Sequence, residues 1–132
     1  MKKTILIFFS VLFLSACADK ENYQKAVLEQ MQSDQDVKDY KMDPEYLSKC
    51  IVESSSKNMP GLFPFDPERL TAYRNYVKML ELKTSKDPKA VMDQLRKDFG
   101  SAKALADAHT NYTESVMECI SAVSTEGEKE QK

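Results

Sequence analysis

The residues of this chain best able to do chemistry are its three cysteines and its one histidine: Cys17, Cys50, Cys119 and His109. Thiolates and imidazoles act as nucleophiles or general bases, and both side chains ligate zinc. No Cys-x-x-Cys pair occurs, so a four-ligand zinc site would need carboxylates as well. A nucleophile and its histidine meet only in the folded chain, so spacing alone assigns no catalytic pair.

The position of His109 can be inferred from its neighbours. It lies four residues after Leu105 and three before Tyr112, which places it at the edge of an apolar helical face. A functional interpretation makes His109 a general base or a pH sensor. A structural interpretation makes it a boundary histidine that is hydrogen-bonded to a neighbour, and the sequence favours this second interpretation.

The carboxylates form no recognisable metal motif. Asp34, Asp36 and Asp39 cluster in a polar stretch, but the glycine and the closing glutamate of a calcium-binding EF-hand loop are absent. The chain also lacks a phosphate-binding loop, a dinucleotide fingerprint and a His-Glu-x-x-His sequence. We therefore expect no metal, no cofactor and no enzymatic activity.

The N-terminal residues have the layout of a secretory signal peptide. Two lysines come first, an apolar run follows, and small residues precede a cysteine. This last part, Leu14-Ser15-Ala16-Cys17, resembles the lipobox of bacterial lipoproteins. The resemblance covers residues 1 to about 18, and the rest of the chain matches no specific family that we recognise. It implies that residues 1–16 are cleaved after Cys17 has received a diacylglycerol.

The resemblance also implies a cellular location. A lipid on Cys17, usually completed in this family by an amide-linked chain such as palmitate, would anchor the protein to a membrane through a short tether at residues 17–22. In Gram-negative lipoproteins an aspartate directly after the cysteine marks retention in the inner membrane. Here Ala18 follows, and Asp19 is one place later. We therefore expect the protein to face the periplasm from the outer membrane.

The charge of the chain narrows the range of partners. The net charge is −2 at pH 7, and the loss of two lysines with the leader makes the mature chain more acidic. This balance gives no electrostatic case for nucleic acid or for anionic lipid head groups. The expected partners are the membrane, through the lipid anchor, and another envelope protein.

Cys50 and Cys119 remain once Cys17 is lipidated. The compartment implied by the resemblance is one in which disulfides persist, and two cysteines allow a single intramolecular pairing. The alternative is a thiol or metal site. We predict a structural disulfide with Cα atoms roughly 4.4–6.8 Å apart.

Three Asp-Pro pairs predict helix starts, because aspartate caps free N–H groups and proline fits the first helical position. The pairs are Asp43-Pro44, Asp66-Pro67 and Asp87-Pro88. Few glycines and no alternating β-branched runs occur, so the fold class is all-α. We expect a small bundle of four or five helices stapled by one disulfide, with a helical domain at 23–123 and a flexible polar tail at 124–132.

Apolar residues at helical spacing outline five helices. Their approximate ranges are 20–32, 44–57, 67–83, 88–99 and 101–123, with a polar link at 33–41. The first helix places Tyr23, Val27 and Met31 on one stripe. The fourth ends at Gly100, which fits a C-terminal stop.

One loop is unusually apolar. The segment Met59–Phe65 carries large apolar side chains between prolines, whereas surface loops are usually polar. One interpretation folds the loop over the back of the third helix, where Met79 and Leu82 would receive it, and the sequence favours this. The other leaves it exposed for a partner or lipid. In that case Leu62, Phe63 and Phe65 form the contact surface, with Phe63 pointing outward as its anchor.

These observations favour a membrane-anchored periplasmic lipoprotein that acts as a non-catalytic binding or structural module of the cell envelope. One alternative is an inhibitor or immunity-type lipoprotein that blocks an enzyme and presents a protruding loop. A weaker alternative is an envelope-processing enzyme, which would need a pocket that gathers His109 with carboxylates or tyrosines.

Overall fold

The structure is a computed structural model that describes the backbone of residues 2–130 and the side chains of residues 17–125. Within this part of the chain the architecture is all-α, as predicted, with six helices and no strand. The helices are α1 (Lys2–Ser33), α2 (Gln35–Asp39), α3 (Pro44–Ser56), α4 (Pro67–Glu81), α5 (Pro88–Asp98) and α6 (Ala102–Glu130). A short 3₁₀ turn, Leu82–Thr84, follows α4.

The three predicted Asp-Pro helix starts are confirmed. Helices α3, α4 and α5 each begin at the proline, and the preceding aspartate accepts a hydrogen bond from a backbone N–H of the first turn. The capping distances are 2.9 Å for Asp43, 2.9 Å for Asp66 and 3.0 Å for Asp87. Gly100 has a φ of 92° directly after α5, which is the backbone conformation expected of a glycine helix stop.

Other boundaries differ from the expectation. Helix α1 includes residues 17–22, which we had assigned to a tether, and the polar link at 33–41 contains α2. Asp34 caps α2, since its carboxylate accepts from the N–H groups of Asp36 and Val37. Helix α6 extends to Glu130. The side chains of the leader at 1–16 and of most of the polar tail lie outside the described residues.

Helix α1 packs against α3 and α4, and α6 packs against α3. The predicted stripe of α1 is confirmed, because Tyr23, Val27 and Met31 are at most 3% exposed. The other large side chains that are at most 3% exposed come from α2, α3, α4 and α5: Val37, Leu47, Ile51, Val52, Tyr73, Tyr76 and Leu95. The core therefore lies between four long helices, with α5 and α2 closing its sides.

The predicted disulfide is present. Cys50 of α3 is bonded to Cys119 of α6, with Cα atoms 5.9 Å apart, inside the predicted interval. The bond closes a loop of about 70 residues, which in the chain-entropy model is worth roughly 4 kcal/mol of stability. It joins α3 and α6, which pack against each other. Among the described residues, no helix combines the length and the apolarity needed to cross a bilayer.

Candidate functional site

The loop between α3 and α4 is held to the first turn of α4 by one arginine. The guanidinium of Arg69 donates to three successive backbone carbonyls, those of Met59, Pro60 and Gly61, at 3.1, 2.7 and 2.7 Å. Gly61 has a φ of 92°, and a Cβ there would lie 2.8 Å from the backbone nitrogen of Arg69. Only glycine therefore fits this close approach.

The other side of the loop is fixed by Asp66. One carboxylate oxygen caps α4, and the other accepts from the backbone N–H of Leu62 at 3.0 Å. These two hydrogen bonds hold the pKa of Asp66 below its usual range. The loop backbone is thus tied at both ends to the start of α4, although it contains no regular secondary structure.

The side chains of this loop do not complete the core as we expected. Met59 is buried at 5%, and Met79 of α4 is also buried, so that part of the expectation holds. Leu62, Phe63 and Phe65 are 87%, 66% and 56% exposed. The favoured interpretation, in which the loop folds over the back of the third helix, is therefore wrong for these three residues: with the loop carbonyls bonded to Arg69, the apolar side chains lie on the outside. The three predicted contact residues share one surface, which we call the apolar loop (residues 60–65).

Cys17 lies on α1, and its side chain is exposed. Two residues later, Asp19 forms an ion pair with Arg74 of α4. This contact ties the turn of α1 that contains Asp19 to α4. The structure keeps Cys17 apart from the disulfide of Cys50 and Cys119, so the three cysteines form no common site.

Three hydrogen-bonded tyrosines, Tyr23, Tyr73 and Tyr76, form a cluster in the core. The sequence did not predict this cluster. The ring of Tyr23 lies 5.8 Å from that of Tyr73 and 5.5 Å from that of Tyr76. The hydroxyl of Tyr23 is 2.9 Å from the Oγ of Ser55, and that of Tyr73 is 3.1 Å from the Oγ of Ser56. Burial raises the pKa of Tyr23 far above its usual range and also raises that of Tyr76.

Asn111 of α6 connects this cluster to α3 and α4. Its amide nitrogen donates to the carbonyl of Ser55 at 2.9 Å and to the hydroxyl of Tyr76 at 2.8 Å. Its amide oxygen accepts from Asn58 at 3.1 Å. Asn111 is 8% exposed. Its sequence context gave no sign of this role, because its partners come from other helices.

His109 faces a shallow hollow of about 310 Å³ that is also lined by Asp34, Lys83 and Tyr112. Burial, and then the charge of Asp34, raises the pKa of Tyr112 to about 12. The imidazole is exposed and forms no side-chain hydrogen bond to another described residue, so the expected bond to a neighbour is missing. The hollow gathers the residue types that the enzyme hypothesis requires, but it holds no hydrogen-bonded nucleophile and base.

A larger open groove of about 1010 Å³ runs between α4 and α6, and its lining includes Asn75, Tyr76 and Asn111. Each of these polar groups already has a partner, since Asn75 donates to the carbonyl of Asp98 and the other two bond each other. In the part of the chain that the structure describes, no three acidic, histidine or cysteine side chains meet in a way that would hold a metal ion. The buried polar side chains of the groove are therefore already paired within the fold, and its lining also includes Glu68, Thr110 and Glu114.

Comparison of the chain with protein-family models, with curated protein sequences and with solved structures gives no match. Its function must therefore be argued from its own residues.

Proposed function

We propose that this chain is a lipid-anchored, non-catalytic binding or structural module of the cell envelope, facing the periplasm from the outer membrane. The observation that carries the proposal is the sequence Leu14-Ser15-Ala16-Cys17, whose cysteine has an exposed side chain on α1. A thioether-linked diacylglycerol at that position would extend away from the bundle and disturb no buried side chain.

The attachment would place the whole domain at the membrane. Helix α1 continues from Cys17 directly into the core, and the ion pair of Asp19 with Arg74 fixes its first described turn. No long flexible linker separates the two. Since each buried CH₂ of an acyl chain adds about 0.8 kcal/mol, two or three chains would hold the domain there for practical purposes permanently.

The test is mass spectrometry of the protein purified from membranes. We expect a mature N-terminus at Cys17 that carries the mass of a diacylglycerol, with or without one further acyl chain. A Cys17→Ala variant should appear as an unprocessed or a soluble form. The double variant in which Cys50 and Cys119 are both replaced by alanine is the control, because it removes the other two cysteines without leaving an unpaired thiol and should leave processing and membrane association unchanged. An unmodified mature N-terminus at any other residue would contradict the anchor.

The sorting part of the proposal has its own test. Ala18→Asp places an aspartate directly after the lipidated cysteine, and by the resemblance it should move the protein to the inner membrane in a Gram-negative host. Ala18→Asn is the control of similar size. If both variants fractionate as the parent does, the assignment to the outer membrane has no support.

The second candidate function is an inhibitor or immunity-type lipoprotein, and the apolar loop favours it. The loop is pinned by Arg69 and presents Leu62 and Phe63 to solvent, so little conformational entropy would be lost on docking into the cleft of an enzyme. Co-purification with an envelope enzyme that is lost on Phe63→Ala would favour this candidate over a scaffold, which should use a broad helix face.

A further inference from the structure

The apolar loop and Cys17 lie at the same end of the bundle. Helices α1 and α4 run in the same direction. Residues later in α1 meet residues later in α4. Asp19 pairs with Arg74, Tyr23 contacts Tyr76, and Met31 and Leu80 line one hollow further on. The N-terminal ends of both helices therefore point the same way.

The loop extends further in that direction than the anchor residue. Pro67 begins α4 seven residues before Arg74, which is about 10 Å along a helix axis. Cys17 precedes Asp19 by two residues, or about 3 Å. A membrane that holds a lipid on Cys17 would therefore meet the apolar loop at the depth of its own surface or a few ångströms inside it.

We propose that the apolar loop, residues 60–65, is a membrane-docking surface that inserts into the boundary between head groups and acyl chains of the leaflet that holds the lipid of Cys17. This inference rests on the proposed lipid anchor and extends it, since the loop would fix the orientation of the domain on the bilayer. Amphipathic helices that lie in this boundary typically enter it by roughly 5–10 Å, and a loop that reaches the depth of the anchor would place Leu62 and Phe63 in the same layer.

The chemistry of the loop fits neutral lipid. Leu62 and Phe63 carry no polar group, and both are well exposed. The guanidinium of Arg69 is bonded to three loop carbonyls, and the adjacent Asp66 and Glu68 are acidic. Insertion should therefore depend on apolar burial and not on anionic head groups. The anchor would also keep the loop at a high effective concentration beside the bilayer, so a small gain in burial is enough.

A single-tryptophan experiment tests the position of the loop. The chain contains no tryptophan, so Phe63→Trp introduces one reporter. The full lipidated variant is reconstituted into phosphatidylcholine vesicles whose acyl chains are brominated near the head group. Tyr40→Trp is the matched control: Tyr40 is 74% exposed, against 66% for Phe63, and it follows α2 at the opposite end of the bundle.

We expect the emission of the tryptophan at position 63 to shift to the blue and to be quenched by the brominated lipid, whereas the one at position 40 keeps the emission of a solvated indole. Leu62→Trp should behave as Phe63→Trp does, and replacement of part of the phosphatidylcholine by phosphatidylglycerol should change neither result. Two solvated reporters on lipidated, vesicle-bound protein would overturn the proposal and leave the loop as a protein-contact surface, while the anchor would stand. If Cys17 proves to be unmodified and the protein does not bind vesicles, the anchor itself fails, and the docking surface fails with it.

Discussion

In two groups of large side chains in this protein, burial is the reverse of what polarity predicts. The hydroxyl-bearing side chains of Tyr23, Tyr73 and Tyr76 are at most 3% exposed. Leu62 and Phe63, which carry no polar atom, are 87% and 66% exposed. The more polar group thus lies inside the bundle, and the less polar group faces outward.

The difference shows what decides burial in a small helical bundle. A tyrosine can be buried at little cost when its hydroxyl is hydrogen-bonded, and those of Tyr23, Tyr73 and Tyr76 meet Ser55, Ser56 and Asn111 on neighbouring helices. No buried side-chain nitrogen or oxygen among the described residues lacks a partner. In the apolar loop it is the backbone that is hydrogen-bonded, to Arg69 and Asp66, and the side chains of Leu62 and Phe63 are left exposed.

The largest expected effect on stability belongs to the disulfide. Replacing both Cys50 and Cys119 by alanine should lower the free energy of unfolding by about 4 kcal/mol, because the unfolded chain regains the entropy of a loop of about 70 residues. Denaturant titration of the double variant and of the oxidised parent measures the difference. Reductant should destabilise the parent and leave the double variant unchanged; equal sensitivity would show that the bond does not carry the effect.

The buried tyrosine cluster should depend on Asn111. Asn111→Leu keeps the size of the side chain but removes the partners of the Ser55 carbonyl and the Tyr76 hydroxyl, and leaving buried polar groups unsatisfied costs about 1–3 kcal/mol each. We expect a loss of about 3 kcal/mol in denaturant titration. Asn58→Ala is the control, since Asn58 bonds the same amide from an exposed position. Similar losses for the two variants would mean that the cluster is not centred on Asn111.

The buried tyrosines Tyr23 and Tyr112 should make the fold sensitive to alkali. Burial raises the pKa of Tyr23, and burial raises that of Tyr112 to about 12, whereas an unfolded tyrosine titrates near about 10. The folded state therefore holds these protons more tightly than the unfolded state does. The contribution of these tyrosines to the free energy of unfolding is fully present below pH ~10 and is lost as the pH rises above it.

Unfolding midpoints measured from neutral pH upward should show this decline. Tyr23→Phe should flatten the decline, at a cost of about 1 kcal/mol at neutral pH for its lost hydrogen bond. Tyr46→Phe is the control, because Tyr46 is 48% exposed. A decline of the same steepness in both variants would show that burial of Tyr23 does not cause it.

The sequence allowed prediction of those parts of the fold that local chemistry determines. An aspartate before a proline is a complete helix-start signal within two residues, so α3, α4 and α5 begin where the sequence placed them. The pairing of Cys50 with Cys119 followed from the small number of cysteines and from the compartment that the leader implies.

The parts that the sequence could not predict depend on partners far along the chain. Asn111 is buried because Ser55 and Tyr76 meet it from other helices, and no spacing rule shows that. The outward orientation of Phe63 depends on Arg69 reaching back eight to ten residues to the loop carbonyls. Hydropathy therefore favoured the interpretation that buries this loop, and that interpretation is wrong for Leu62, Phe63 and Phe65.

The smallest expected effect on stability belongs to Phe63. Truncating a core phenylalanine costs about 3–5 kcal/mol, because it removes apolar burial and leaves a cavity. Phe63 is 66% exposed, so Phe63→Ala should change the free energy of unfolding by no more than about 0.5 kcal/mol. Phe99→Ala is the matched control: Phe99 is partly buried against the core, its ring lies 5.9 Å from that of Tyr76, and its truncation should cost several times more.

A large loss for Phe63→Ala would place this side chain in the core and remove the basis for any docking surface. If instead the fold is unchanged while membrane insertion or partner binding is lost, the exposed group of side chains serves binding and the buried group serves the fold.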